Sequence, residues 1–173
     1  IGILALILFF GQISAQKVIA SDSIVRRQMN AVRTDKSIKI DGIIDEEAWT
    51  TASIADKFIE FQPANGKSES ENQKSVVRVL YDDTGIYIGA TLYDNEPDKI
   101  AKQLTERDVI NNDDFLGVFI NGYNDKQQSY EFIVTAAGVQ FDAKATNDNG
   151  EDDTWNGIWY SAVKITDKGW NVE

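Results

Sequence analysis

Val77-Arg-Val-Leu-Tyr-Asp-Asp-Thr-Gly-Ile-Tyr-Ile-Gly89 is the stretch that decides the fold class of this chain. Val77, Val79 and Tyr81 share one side of an extended segment, and after Asp82-Asp83-Thr84-Gly85 the residues Ile86, Ile88, Ala90 and Leu92 share one side of the next. Period-two alternation on both flanks of four turn residues that include glycine predicts an antiparallel hairpin. Asn95-Glu96-Pro97 ends the second strand, and Asp98 to Asp108 is a charged connection with room for a helical turn.

The same alternation recurs downstream. In Phe115 to Ile120 both faces are apolar, the pattern of a strand in the middle of a sandwich. Tyr130, Phe132 and Val134 alternate with Glu131, Ile133 and Thr135, and Val139, Phe141 and Ala143 alternate with Gln140, Asp142 and Lys144, so both segments read as half-buried strands. A last hairpin runs from about Trp159 to Ile165 and from Trp170 onward, turning at Asp167-Lys168-Gly169. Stopping in mid-strand at Glu173 predicts a fragment of a longer protein, because a complete sandwich does not end on an unpaired edge.

Upstream, Ile38 and Ile40 alternate around Lys39 before the Asp41-Gly42 turn. Asp45 is a helix N-cap, Glu46 and Glu47 suit the first turn, and Ala48, Trp49 and Ala52 follow at helical spacing. One short helix is predicted there, with Trp49 plugging the end of the core. Together these segments describe an all-β protein, an antiparallel jelly-roll-like β-sandwich of about seven or eight short strands with one short helix.

The first ten residues, Ile1 to Phe10, form an apolar run that leads to Ala15-Gln16. Its length and flank are those of a signal peptide cleaved after Ala15, short of the roughly 20 residues that span a bilayer, with a buried strand as the alternative. The basic segment and initiator methionine that precede such a run are missing from it. The expected organisation is therefore a truncated signal peptide over 1–15, a polar leader over 16–31 and one sandwich domain over 32–173. Export to the periplasm, outer membrane or cell surface follows from that assignment.

Composition excludes several activities. With 173 residues, 42% of them hydrophobic, the chain supports one sizeable core. Its 28 acidic and 17 basic residues give a net charge of -11, which repels nucleic acids and anionic lipid surfaces. Cysteine and histidine are both absent, which removes disulfides, thiolate nucleophiles, histidine-ligated zinc and the Ser-His-Asp triad.

Three segments in fixed order, Ile38 to Trp49, Val77 to Gly89 and Asp113 to Ile120, resemble the family 9 carbohydrate-binding modules. The resemblance covers roughly Val32 to Glu173 and implies a sandwich fold, an oligosaccharide or polysaccharide ligand and a structural calcium ion. Sugar recognition needs a flat aromatic face for the ring's C–H surface and amides or carboxylates for its hydroxyls. The polar run Asn111, Asn112, Asp113 and Asp114 lies where the family places polar sugar contacts, although Val109 and Ile110 stand where its aromatic is expected. Trp155 is the candidate for the other aromatic, with core packing as its alternative, while Trp159 and Trp170 read as core.

Asp148, Glu151, Asp152 and Asp153 crowd one glycine-containing loop and are the candidate calcium ligands, without EF-hand spacing. Asp82 and Asp83 are explained by turn chemistry alone. Asp113, Asp114, Glu131 and Asp142 can be paired on paper as glycosidase carboxylates, but in so acidic a chain such pairs arise by chance, and no catalytic residue is assigned.

The functional expectation is a carbohydrate-binding module of an exported cell-envelope protein. It would hold polysaccharide or its chain ends for a glycoside hydrolase or transport partner in carbohydrate catabolism, joined to a downstream domain that carries any membrane contact. The alternatives are a structural or interaction sandwich of an outer-membrane protein that no longer binds sugar, and part of a glycoside hydrolase whose catalytic domain follows Glu173.

Overall fold

The computed structural model describes residues 27–173. The expected signal peptide and most of the expected leader lie outside the described residues. The rest is an all-β sandwich of two sheets with no helix longer than a turn or two.

The predicted hairpin is its centre. β3 (Ser75–Tyr81) and β4 (Ile86–Tyr93) pair antiparallel from Ser75 opposite Leu92 to Tyr81 opposite Ile86. Asp82 makes the turn, accepting from the amides of Thr84 and Gly85, at 2.7 and 3.0 Å, and from the hydroxyls of Thr84 and Tyr87. These donors, the Thr84 hydroxyl first, hold its carboxyl down at about 2.

β1 (Val32–Arg33) runs parallel and β2 (Ser53–Ala55) antiparallel along the free edge of β3. On the other side of β4 lies β10 (Gly169–Val172), then β9 (Val163–Thr166). Glycine is required at 169: its φ is +135°, and a Cβ there would stand 1.9 Å from the Leu92 carbonyl oxygen. The second sheet runs β5 (Phe115–Ile120), β6 (Gln128–Thr135), β7 (Gln140–Thr146) and β8 (Gly150–Asp152), all antiparallel.

The main core lies between the sheets, where Ala90, Trp170 and Val172 of the first meet Val134 and Leu116 of the second. A second cluster covers the opposite face of the first sheet. There Trp49 and Ala48 pack on Leu80 and Tyr87. Trp49 is buried, as the sequence predicts, but it seals this outer cluster rather than the end of the main core. The reason is Gly89, which leaves room for the ring: a Cβ at 89 would come within 3.1 Å of it.

Three expectations are corrected. The helix predicted from Asp45 is a five-residue 3₁₀ turn, Glu47–Thr51, with Glu46 in the capping position and no side-chain cap. Ile38 to Ile40 form no strand; Ile38 packs beside Trp49 instead. Phe115–Ile120 is an edge strand that pairs with β6 alone among the described residues, with Phe115 and Phe119 more than half exposed.

Glu131, on the outer face of β6, gives the fold a pH dependence. Burial, followed by the charge of neighbouring Glu151, pushes its carboxyl above the ordinary value near 4.5. The folded state therefore keeps a proton that the unfolded chain has released. The stability it contributes is full below about pH 4.5 and is lost as the pH rises through the folded value. Glu131→Gln should raise the melting midpoint at neutral pH and flatten its fall as the pH rises above about 4.5. Parallel melting curves for the two proteins across that range would contradict the assignment.

Candidate functional site

The β6–β7 register puts Asp142 opposite Phe132. Phe132 faces the other sheet, so Asp142 does too, and its side chain is fully buried. Three donors satisfy its carboxylate, and its backbone amide has a partner of its own. Arg107 donates through Nη2 and the Gly157 amide donates to the second oxygen. Trp159 Nε1 donates at 3.4 Å, and the Asp142 amide in turn donates to Asp108 Oδ1 at 3.4 Å. A charge so deeply buried persists only with such partners.

Arg107 belongs to the connection between β4 and β5, which is tied to the sheet at several points. The Asp108 amide donates to the Gln140 carbonyl at 3.0 Å, and the Thr105 hydroxyl donates to the Val109 carbonyl at 2.6 Å. Besides Asp142, the guanidinium donates to Gln140 Oε1 at 2.5 Å and to Asn156 Oδ1 at 3.4 Å. Gln140 passes the network on to the Ser161 hydroxyl at 3.0 Å. A guanidinium has five N–H donors, and these contacts use three of them. Among the described residues two donors remain without a hydrogen-bond partner, on a side chain that is 39% exposed and also lies 3.6 Å from the Asp108 carboxylate.

Beside this network runs a shallow groove of about 500 Å³ bounded by Leu104, Thr105, Arg107, Gln140, Tyr160 and Ser161. Tyr160 is 80% exposed and offers a ring face to solvent. The groove thus combines an open aromatic face with planar polar side chains whose positions are already set. That combination suits a polyhydroxylated ring, with apolar C–H bonds on its faces and hydroxyls around its rim.

The family model for carbohydrate family 9 binding domain-like proteins matches residues 40–173 of this chain. The chain belongs to that family. No curated protein and no solved structure matches it. Membership in this carbohydrate family 9 binding domain-like group supports a carbohydrate-binding role for the sandwich.

The sugar contacts expected from the sequence do not meet in one place. Trp155 is half-buried, packed against Tyr130 with ring centroids 4.9 Å apart and planes tilted by 47°, and edge-on to Phe132 at 6.0 Å. Asp114 precedes β5 at its opposite end, beyond the Phe115–Thr135 pair, whereas Tyr130 pairs with Ile120. Six residue steps of extended chain at about 3.4 Å each put roughly 20 Å between them. The Asp114 carboxylate accepts from the Ala101 amide at 2.9 Å and Asp113 accepts from the Gln103 amide at 2.5 Å, so both pin the β4–β5 connection. Asn111 and Asn112 are exposed on that connection.

Nor do the candidate calcium ligands converge. Glu151 and Asp152 are consecutive in β8 and point to opposite faces, Glu151 towards Glu131 and Asp152 towards Lys144. Asp152 is occupied by the Thr154 amide and hydroxyl, while Asp148 and Asp153 are exposed. Among the described residues no three acidic side chains gather as a metal-holding group.

Arg107, Gln140, Tyr160 and Ser161 are the residues that sequence reasoning passed over. One signal was available: Gln140, Asp142 and Lys144 form the polar half of an alternating strand. Alternation alone does not say which half faces inward.

Proposed function

We propose that this sandwich binds carbohydrate in the groove beside the Arg107–Asp142 pair. Tyr160 stacks on the sugar ring, while the two unused N–H groups of Arg107 and the hydroxyl of Ser161 meet its hydroxyls. The observation that carries the reading is Arg107 itself, fixed by Asp142, Gln140 and Asn156 and exposed next to an open aromatic ring. Binding loses little freedom when the donors are already held in place. Because Asp142 and Asp108 both offset the guanidinium charge, the groove favours neutral sugars, and the net charge of -11 discourages polyanionic ones.

The wider context belongs to the same proposal. The apolar run Ile1 to Phe10 and the Ala15-Gln16 step support an exported module that holds polysaccharide near a hydrolase or transport partner. Among the described residues no helix is long and apolar enough to cross a membrane, which says nothing of a β-barrel. A second reading, a sandwich that no longer binds sugar, is favoured by one observation: Trp155, Asp113 and Asp114 are engaged in internal contacts.

Titration with neutral oligosaccharides, followed by calorimetry, separates the two. The domain should bind at least one of them at millimolar concentration or better. Tyr160→Ala should weaken binding by about fivefold or more at an unchanged melting midpoint, because loss of one stacked aromatic is worth about 1 kcal/mol or more and the side chain is exposed. Trp155→Ala should instead lower the midpoint and leave affinity intact. Absence of binding across the panel would support the scaffold reading.

A further inference from the structure

Trp159 and Tyr160 line a second cavity as well as the groove. It is a cleft of about 520 Å³ between the sheets, walled by Ile86, Ile88, Leu116, Val118, Ile120 and Phe132. Its walls are mostly apolar and it opens at one end of the sandwich. Ile86 and Ile158 at its mouth are 59% and 97% exposed. Among the described residues no lysine or arginine lines it, and the one acidic residue that does is Glu173, whose carboxyl burial pushes up.

We infer that groove and cleft form one composite site for a neutral glycoside with an apolar aglycone. The sugar occupies the polar groove and an alkyl or aryl group attached at its glycosidic oxygen enters the cleft. This rests on the proposed sugar site. The argument is continuity: the same two consecutive residues wall both spaces, so a ligand crossing the Trp159–Tyr160 ridge meets hydrogen-bonding groups on one side and hydrocarbon on the other. Charge selects among amphiphiles. A cleft without a cation in a chain of net charge -11 disfavours a carboxylate or phosphate headgroup, so a free fatty acid fits poorly and an uncharged glycoside fits well. Apolar surface left open to water is unfavourable, and an aglycone would remove it.

The test uses the full chain and matched methyl and n-hexyl β-glycosides of glucose, galactose, mannose and xylose, with the neutral dye N-phenyl-1-naphthylamine as a reporter of the cleft. For whichever sugar the groove accepts, the hexyl glycoside should bind roughly tenfold or more tighter than the methyl one, since each methylene removed from water strengthens binding about fourfold. Hexyl glycosides should displace the dye and methyl glycosides should not. Val118→Phe, which fills the cleft with apolar atoms, should abolish the gain and leave methyl glycoside affinity unchanged; Ile120→Phe is the second variant if that protein fails to fold.

Equal affinity of methyl and hexyl partners overturns the composite site and leaves the sugar reading standing. Hexyl binding that is insensitive to Tyr160→Ala also overturns it, showing an apolar site without sugar recognition. No binding of any glycoside overturns both readings. Self-association that excludes the dye would assign the cleft to a second copy of the chain, against this inference.

Discussion

Arg107→Ala should destabilise the domain by about 3 to 5 kcal/mol, although the arginine sits at the surface, because it strips a buried carboxylate of its counter-charge. Asp142 would keep the Gly157 amide and Trp159 Nε1 as donors but no cation, inside a fully buried environment. The double variant Arg107→Ala with Asp142→Asn should recover much of that loss. The asparagine oxygen still accepts from the Gly157 amide, only the long Trp159 contact loses its acceptor, and no charge remains buried. Urea unfolding checks both, with the midpoint shifted and the slope unchanged. A single variant within 1 kcal/mol of the parent (~1 kcal/mol being usual for an exposed pair) would show that solvent reaches Asp142.

Trp49→Ala should cost a similar amount, about 3 to 5 kcal/mol. Only 4% of this residue is exposed, its ring fills the space that Gly89 leaves, and it is the largest member of the cluster on the outer face of the first sheet. Its indole also donates to Glu173 at 3.2 Å and to Glu46 at 3.1 Å. Glu173 accepts from the amides of Asp41 and Gly42 at 3.1 and 2.8 Å, so the indole joins β10 to the turn before it. Trp49→Phe keeps most of the apolar contact and deletes that bond, for a cost of about 1 to 3 kcal/mol. Thermal melting ranks the variants; equal midpoints for parent and alanine variant would place Trp49 outside the packed region.

Local pattern accounts for what the sequence predicted correctly. The Asp82–Gly85 turn, both strands beside it, the β6 and β7 segments and the turn at Asp167-Lys168 are each encoded within a dozen neighbouring residues. Pairings between distant segments were less visible. Nothing near Trp170 states that β10 inserts between β4 and β9, and the apolar faces of Phe115–Ile120 suit a central strand as well as this edge. The Glu47–Thr51 segment carries helix-like spacing, but one 3₁₀ turn suffices to set Trp49 over Gly89.

The site was harder to read for the same reason. Asp142 becomes the anchor of Arg107 only because register turns the polar half of β7 inward, and 35 residues separate the two. Trp155 carries the residue type expected of a sugar platform, yet Tyr130 and Phe132 already pack against it, tilted and edge-on. The aromatic exposed at the groove is Tyr160, five residues on, in a stretch without regular structure where alternation offers no guide.

Amide and side-chain chemical shifts recorded while a bound oligosaccharide is titrated into the domain test the central claim most directly. The account predicts the largest changes at Tyr160, Ser161, Gln140 and the Arg107 guanidinium, with Asn111 to Asp114 and the loop from Asp148 to Asp153 undisturbed. Changes centred on Trp155 or on Asn111 to Asp114, with Arg107 and Tyr160 silent, would contradict it.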